Sequence, residues 1–291
     1  MFLKILKLLN KLRRILPFQP KFKYNLAICC IVKDEDEYLE EWINYHRKIG
    51  VQHFFIYDNG SKKPVKQTLK QASLKEYATV HSIIGKVKQL EAYDACLKYY
   101  GHLSQWIAFI DIDEFIVPKS TNGNLVEMLK DYEQYGGLGI NWLLFGSSGH
   151  LKKTNRPVLE RFLLRAKTDF HVNRHIKCIV QPRFVVQAAG PHAFFFKKNY
   201  DCVNENYVTI NDSFADVSIR KIHINHYYCK SLEEYHNKIE RGLADIDRQR
   251  TIEEFYNHDK DANAVRDETI LKILNQKNAL NPYLMAKSSV E

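Results

Sequence analysis

The stretch Trp106-Ile107-Ala108-Phe109-Ile110-Asp111-Ile112-Asp113-Glu114 decides the fold. Its apolar half reads as a strand buried on both faces, and it runs straight into a cluster of acids. Toward the N-terminus, Leu26-Ala27-Ile28-Cys29-Cys30-Ile31-Val32 is a second such run, ended by Lys33-Asp34-Glu35. Phe54-Phe55-Ile56-Tyr57 is a third, ended by Asp58-Asn59-Gly60-Ser61, a loop sequence. Residues 78–84 read as a fourth. Helical patterns fall between them. Residues 37–49 place Leu39, Trp42, Ile43 and His46 on one side, with Gly50 as the cap. Pro64 opens a helix to about residue 73, and 89–100 read as another. This alternation predicts an α/β fold with a mostly parallel, Rossmann-like sheet flanked by helices. In such sheets ligands bind beyond the carboxyl ends of strands. Three of the four ends carry acids or amides, at 33–35, 58–61 and 111–114. A site is expected there.

The second half is less regular. Residues 138–144 are strand-like, and Phe145-Gly146-Ser147-Ser148-Gly149-His150 is a polar turn. A helix is expected over 157–166, strands over 176–181, 184–187 and 218–228, and helices over 231–242, 251–258 and 264–276. No repeat or low-complexity tract interrupts the chain. The one boundary falls near Pro17 to Lys23, which separates an arm, 1–24, from a single domain, 25–291.

Composition narrows the class. The 291 residues are 26% charged and 12% aromatic, which excludes a disordered chain. The 12 glycines exclude collagen, and no apolar run approaches the ~18 residues of a bilayer span. Six cysteines, two of them adjacent (Cys29 and Cys30), predict reduced thiols rather than a disulfide framework. The charge is uneven. Lys4, Lys7, Lys11, Arg13, Arg14, Lys21 and Lys23 supply seven of the net +9, and no acid accompanies them. At helical spacing, Phe2, Ile5, Leu8, Leu9, Leu12 and Leu16 share one face, with the lysines opposite. This pattern predicts an interfacial helix over 1–16 on an anionic membrane, placing the protein on the inner face of the cell membrane. Packing on the body or on a second subunit is the alternative reading, and a secretory signal a weaker one. Without interleaved aromatics, the basic arm does not suggest nucleic acid.

Asp111 and Asp113 carry the chemistry. Carboxylates at i and i+2 in a turn can converge on one hard cation, Mn²⁺ or Mg²⁺, which prefers oxygen ligands. Its open positions suit the two phosphates of a nucleotide diphosphate. The bland alternative for any Asp-X-Asp is a solvated turn. In a strand, His223 and Asn225 face one way and Ile224 and His226 the other, so the two histidines do not share a metal unless the strand ends there. His226 is the candidate third ligand, since imidazole suits Mn²⁺, with a lone core or surface histidine as the alternative. No Cys-X-X-Cys supports zinc. The run His192 to Phe196 is a possible sugar platform, with core packing as the alternative.

Several segments together resemble glycosyltransferase family 92 and related family-2-like sugar transferases. They include Val32-Lys33-Asp34-Glu35, Tyr38-Leu39-Glu40-Glu41-Trp42, Ile56-Tyr57-Asp58-Asn59-Gly60-Ser61, and Gln89 with Ala92-Tyr93. Phe109 to Phe115, Trp142, Phe145 to His150, Glu160-Arg161-Phe162, Lys177 with Pro182, His192 and Asn225-His226-Tyr227 continue the match. So does Lys230 to Tyr235, followed by Lys238, Arg241-Gly242 and Asp245. The resemblance covers about residues 25–275. It implies a GT-A fold with a helical C-terminal region, a nucleotide-sugar donor (a uridine diphosphate sugar first), Mn²⁺ or Mg²⁺, and transfer with inversion. One departure is Asp34, where the family pattern more often has Asn.

By the same resemblance, Lys33, Asp34, Glu35, Asp58, Asn59, Ser61 and Gln89 would line the nucleotide site. Asp111 and Asp113 would hold metal and diphosphate, supported by Glu114. His226 would be the further metal contact, with His192 as its rival, and Arg241 would neutralise phosphate. Gly146, Ser147, Ser148 and His150 would meet the sugars. Inversion needs a base on the acceptor side. Glu160 and Asp245 are the candidates, with Asp169 behind them; a surface or structural role is the alternative for each. The acceptor would be a glycan or lipid-linked glycan, in surface polysaccharide or lipopolysaccharide synthesis. The Lys-, Asn-, Tyr- and Ile-rich composition suggests a bacterial source. Two rival readings are a nucleotidyltransferase, which would need a glycine-rich loop that 33–35 lack, and a non-catalytic membrane-associated binding module.

Overall fold

A computed structural model of the protein describes residues 21–280. The expected arm helix over 1–16 lies outside the described residues. The parallel half of the main sheet is built from β1 (Tyr24–Val32), β2 (His53–Asp58), β3 (Ala78–Ser82) and β4 (Ser104–Phe109), in the order β3-β2-β1-β4. Side-chain alternation on these strands feeds two separate cores. Leu26, Ile28, Cys30, Phe54, Ile56, Trp106 and Ala108 join the first; Ala27, Cys29, Phe55, Tyr57, Ile107 and Phe109 join the second. That two-sided burial is why the runs are continuously apolar. Helix α1 (Asp36–Lys48) covers the first face through Leu39, Trp42 and Ile43. Helix α2 (Val65–Gln71) joins it through Val65 and Leu69, and α3 (Gln89–Tyr100) covers the second face through Ala92, Tyr93 and Cys96. Gly50 follows α1 at φ +113°, a conformation glycine accepts without strain.

The sheet continues differently beyond β4. Strand β5 (Glu114–Pro118) leaves the acidic turn, α4 (Leu125–Leu129) follows, and β6 (Gly137–Leu144) returns. A single helical turn, α5 (Val158–Arg161), leads to β7 (Leu164–Arg165), β8 (Ile176–Val180), β9 (Val185–Ala188) and β10 (Phe194–Phe196). Short β11 (Cys202–Val203) and β12 (Thr209–Ile210) form the far edge, and β13 (Ile222–His226) comes last in this sheet. Strand β8 runs antiparallel between β4 and β6, while β13 lies parallel to β6 and antiparallel to β5. The described residues end with α6 (Leu232–Arg241), α7 (Ile252–Asp259), β14 (Val265–Arg266) and α8 (Thr269–Leu280). The architecture is the expected α/β class, with a mostly parallel central sheet flanked by helices. The six cysteines are all free and buried.

Three expected elements differ. The helix expected over 157–166 stops after one turn. Ser148 Oγ takes the N–H groups of Leu163 and Leu164, and Leu164–Arg165 pairs with β14 instead. The same pairing delays the last helix until Thr269, whose N–H is taken by Asp267. The strand expected from 218 begins at Ile222. Upstream, the buried Glu205 carboxylate gathers the N–H groups of Arg220 and Lys221 and the Ser218 hydroxyl into a turn.

Candidate active site

The floor of the site is the turn between β4 and β5. Asp111 N–H donates to Glu114 Oε2 (2.9 Å) and Glu114 N–H to the Asp111 carbonyl (3.1 Å). Helix α1 fixes the first turn of β5, because Trp42 Nε1 donates to the Glu114 carbonyl and the Tyr45 hydroxyl to that of Ile116. His46 completes the clamp. Its Nδ1 donates to the Trp42 carbonyl and its Nε2 accepts from Ile116 N–H, so it is a satisfied core histidine. Strand register then delivers the remaining side chains. Cys178 lies opposite Phe109, which brings Lys177 level with the end of β4. His226 lies opposite Glu114, and Tyr227 N–H donates to the Asp113 carbonyl.

Both aspartates are partnered. Asp111 accepts from Gln89 Nε2 (3.0 Å) and Lys177 Nζ (2.8 Å). Asp113 Oδ2 accepts from Lys238 Nζ (2.6 Å), and its Oδ1 lies 3.6 Å from His226 Nε2. Burial raises the Asp113 carboxyl, but Lys238 and His226 override it and hold the group well below the usual range. Burial pulls Lys238 down to about 8 against the pull of Asp113. Lys177 is also buried, yet Asp111 and Glu114 hold it well above an ordinary lysine. Burial pushes Glu114 well above the carboxylate range, and its Oε1 has no partner. Burial lowers His226 despite Asp113, favouring the neutral imidazole that ligates metals. Trp142 packs against it at 4.2 Å and stacks on His175 at 4.7 Å.

Helix α6 is aimed at this floor by its first turn. Ser231 and Glu234 form a reciprocal capping box. Arg161 grips Glu234 through two bonds of 2.7 and 2.9 Å, and the Tyr38 hydroxyl adds a third at 2.8 Å. Lys238, one turn on, then reaches Asp113, and Arg241 reaches Glu35 (2.8 Å). Above the floor lies a cavity of about 610 Å³, open to solvent, lined by Lys33, Glu35, Asn59, Gln89, Asp111, Asp113, Lys177, His192, His226, Lys238 and residues 240–250. Its walls are therefore the ends of β1, β2 and β4 on one side and the α6 exit on the other.

The sequence profile of glycosyltransferase family 92 matches residues 24–278, nearly all that the structure describes. The chain belongs to glycosyltransferase family 92. A rice (Oryza sativa subsp. japonica) family 92 protein is 30% identical over 191 residues, covering 62% of this chain and 31% of its own. A castor bean (Ricinus communis) family 92 protein is 28% identical over 229 residues, covering 76% and 38%. The chain thus spans about a third of the length of these relatives. An Arabidopsis thaliana galactan β-1,4-galactosyltransferase, GALS3, is 32% identical over 109 residues, or 33% of this chain and 22% of that one. Among solved structures, Staphylococcus aureus TarS with UDP aligns at 14% identity and a TM-score of 0.39, covering 55% and 47% of the two chains. These named sequence relatives are plant proteins, whereas the composition suggested a bacterial source.

Of the residues read from the family 92 sequence, Lys33, Glu35, Asn59, Gln89, Asp111, Asp113, His192, His226, Arg241 and Asp245 meet at this one cavity. Asp34, Asp58 and Ser61 do not line it; they brace the two loops behind it. Asp58 accepts from the N–H groups of Ser61 and Val65, and Asp34 accepts from Lys62 N–H while donating its own N–H to Ser61 Oγ. Asp34 sits at φ 51°, a left-handed conformation that Asp accepts more readily than most residues. Gly146, Ser147, Ser148 and His150 also lie apart from the lining. Asp259 takes both the N–H and hydroxyl of Ser147, Asn263 takes Ser148 N–H, and His150 Nε2 donates to the Arg161 carbonyl. Glu114 is buried beneath the floor rather than facing a ligand. Glu160 is exposed beside Arg156 and Asp169 is exposed on a turn, neither at the cavity. His192 donates Nδ1–H to the Ile176 carbonyl, and burial with Lys177 nearby lowers it to about 2. It is neutral.

Sequence reasoning gave no role to Lys177 or Lys238, the two cations of the floor. A signal was present for Lys177, a lysine inside the otherwise apolar strand Ile176-Lys177-Cys178-Ile179-Val180. The donors nearest to a metal-like arrangement are Asp113 and His226. Asp113 Oδ1 and His226 Nε2 stand 3.6 Å apart, close to the ~3 Å expected between neighbouring ligands of one octahedral ion. Among the described residues, no cluster of three or more His, Cys, Asp or Glu is set to enclose a metal.

Proposed function

We propose that this protein transfers a sugar, with inversion, from a nucleoside diphosphate sugar to a glycan or lipid-linked glycan. The observation that carries the reading is convergence. Asp111, Asp113, Gln89, Lys33, Asn59 and Arg241 come from five separate elements or loops and meet at the carboxyl ends of the parallel strands. A uridine diphosphate hexose is the first donor to test, given the galactosyltransferase named among the relatives. Asn59 is held in place by its bonds to the Ile83 and Gly85 carbonyls and walls the nucleoside end with Lys33. Asp113 and His226 would hold Mn²⁺ or Mg²⁺, with Asp111 beside them. When bound, the ion offsets charge building on the departing diphosphate. Arg241 and Lys238, held by Glu35 and Asp113, turn N–H donors to the same cavity. Asp245, on the α6 side of the cavity, is the carboxylate assigned to take the acceptor hydroxyl's proton.

In this reading the acceptor lies at a membrane surface, in surface glycan or lipopolysaccharide synthesis. Supporting this, Ile246 stands exposed on the cavity wall with Lys86, and the exposed Ile84 and Val87 flank the lining pair Gly85 and Lys86 in the chain. No described helix is long and apolar enough to cross a membrane. The direct experiment incubates the protein with a panel of UDP-sugars, Mn²⁺ and glycan or glycolipid acceptors, and reads the product's anomeric configuration by NMR. Transfer undiminished in Asp111→Ala and Asp113→Ala proteins would overturn the reading.

A further inference from the structure

The segment between β11 and β13 folds around a second depression of about 420 Å³, lined only by residues from 204–218. That size suits a small ligand. Its lining includes Asn206, Asn211, Asp212, Phe214, Asp216 and Ser218, and carries no Lys, Arg or His. Buried polar residues fix its shape. Asn141 Oδ1 accepts Ser218 N–H (3.0 Å), and Asn141 Nδ2 donates to the Ala215 carbonyl (3.4 Å). Glu205 accepts the Ser218 hydroxyl at 2.7 Å. Asn141 and Glu205 are each 1% exposed. Ile176 N–H donates to the Ser213 carbonyl, and Ala215 N–H to that of Arg174, so the loop carrying Phe214 is tied to the start of β8. The Phe214 ring, 46% exposed, packs edge-on against His175 at 4.5 Å. His175 in turn stacks on Trp142, which lines the large cavity. The two ends of one row of three rings thus line the two depressions.

We propose that this second depression binds uncharged sugar residues and holds the remote part of a glycan whose near end enters the large cavity. A lining without cations, and with Asp212 and Asp216 in it, repels phosphate and other anions. Its many polar groups disfavour an acyl chain. Sugar hydroxyls both donate and accept, which matches amide N–H groups beside carboxylate and amide oxygens. The apolar C–H face of a sugar ring can lie on the exposed Phe214 ring. Because Phe214 and Trp142 are separated by one ring only, a short oligosaccharide can reach both places. Anchoring its far end raises the effective concentration of its near end at the reaction. Longer acceptors should therefore bind more tightly than short ones. The use of this site in transfer rests on the transferase reading, whereas its affinity for sugar does not.

The probes are neutral oligosaccharides of glucose, galactose or mannose, from two to six residues long, immobilised as an array. At least one of the longer probes should bind the full chain, and saturating UDP should leave that binding in place. Phe214→Ala and Asn211→Ala should each weaken it by about 10-fold, read by calorimetry. Asn211 is exposed, so its variant decides if circular dichroism shows that Phe214→Ala fails to fold. In transfer assays both variants should raise KM about 10-fold for the long acceptor, with kcat unchanged, and leave the shortest acceptor unaffected. Binding of no probe, or equal binding by wild type and both variants, overturns the site. So does a dimer that Phe214→Ala splits in the ultracentrifuge while no sugar binds, since the depression is then a contact between copies. A chain that binds sugar here but never UDP overturns the nucleotide reading of the large cavity and leaves this site standing.

Discussion

Lys238 Nζ is seated 2.6 Å from Asp113 Oδ2 in a floor that water scarcely reaches. Removing one member of a buried ion pair strands the other. Asp113→Ala should therefore cost about 3–5 kcal/mol of stability as well as activity. Asp111→Ala should cost less, because Asp111 is 34% exposed. Urea denaturation with the two variants side by side measures this, and equal losses would contradict it.

The Arg161–Glu234 pair should govern acid stability. Burial opposes ionisation of Glu234, but Arg161 and the Ser231 hydroxyl win and hold it at about 2, against an ordinary 4.5. A depressed carboxyl stabilises the fold fully above the unfolded value. That contribution is lost as the pH falls from about 4.5 toward 2. The span corresponds to about 3 kcal/mol. Arg161→Met should lower stability at pH 7 and flatten the acid limb between those pH values. An unchanged slope in pH-dependent denaturation would refute the link.

Asp245 lines the cavity, whereas Glu160 pairs with Arg156 at the surface. Asp245→Asn should reduce kcat by about 10²–10⁴, the usual contribution of a general base, and leave UDP affinity near wild type. Glu160→Gln should retain nearly full activity. Steady-state kinetics with both variants distinguishes them, and the opposite pattern would move the base to α5.

Gly146 leaves no room for a side chain. A Cβ there would stand 2.5 Å from Asn263 Oδ1 and 2.7 Å from the Ala262 carbonyl. Gly146→Ala should destabilise the chain by about 1–3 kcal/mol through overpacking. Thermal denaturation checks this, and a melting temperature unchanged by the substitution would mean that the 145–150 turn relaxes freely.

Truncation of residues 1–20 should weaken sedimentation with phosphatidylglycerol vesicles while leaving soluble transfer intact. Ile84→Glu with Ile246→Glu should remove the remaining binding, if the mouth also faces the bilayer. Undiminished vesicle binding by the protein carrying all these changes would place the membrane contact elsewhere.

The parallel half of the fold was legible because β1, β2 and β4 are buried on both faces, so their sequences carry unbroken apolar runs. Helix α3 was read to its end residues, Gln89 and Tyr100. The second half was harder to read because side chains dictate its backbone there. Ser148, Glu205 and Asp267 each capture N–H groups that a helix or strand would otherwise use. At the site, Asp111 and Asp113 stood out by position alone. Lys177 and Lys238 come from β8 and α6, 66 and 125 residues from the carboxylates they meet. Only the pairing of β8 with β4 and the anchoring of α6 by Arg161 bring them in. Asp34, Asp58 and Ser61 were recognisable as strand-end residues, but which way such a loop turns depends on its neighbour, and these turn toward one another.

Strand β13 fits between β5 and β6, two strands that come far earlier in the chain, β5 ending at Pro118 and β6 at Leu144. On the ribosome, that slot stands vacant until residue 226 and its followers have left the exit tunnel. A nascent chain long enough to display both aspartates still lacks His226 and Lys238. The floor is thus complete only once β13 and α6 have been made.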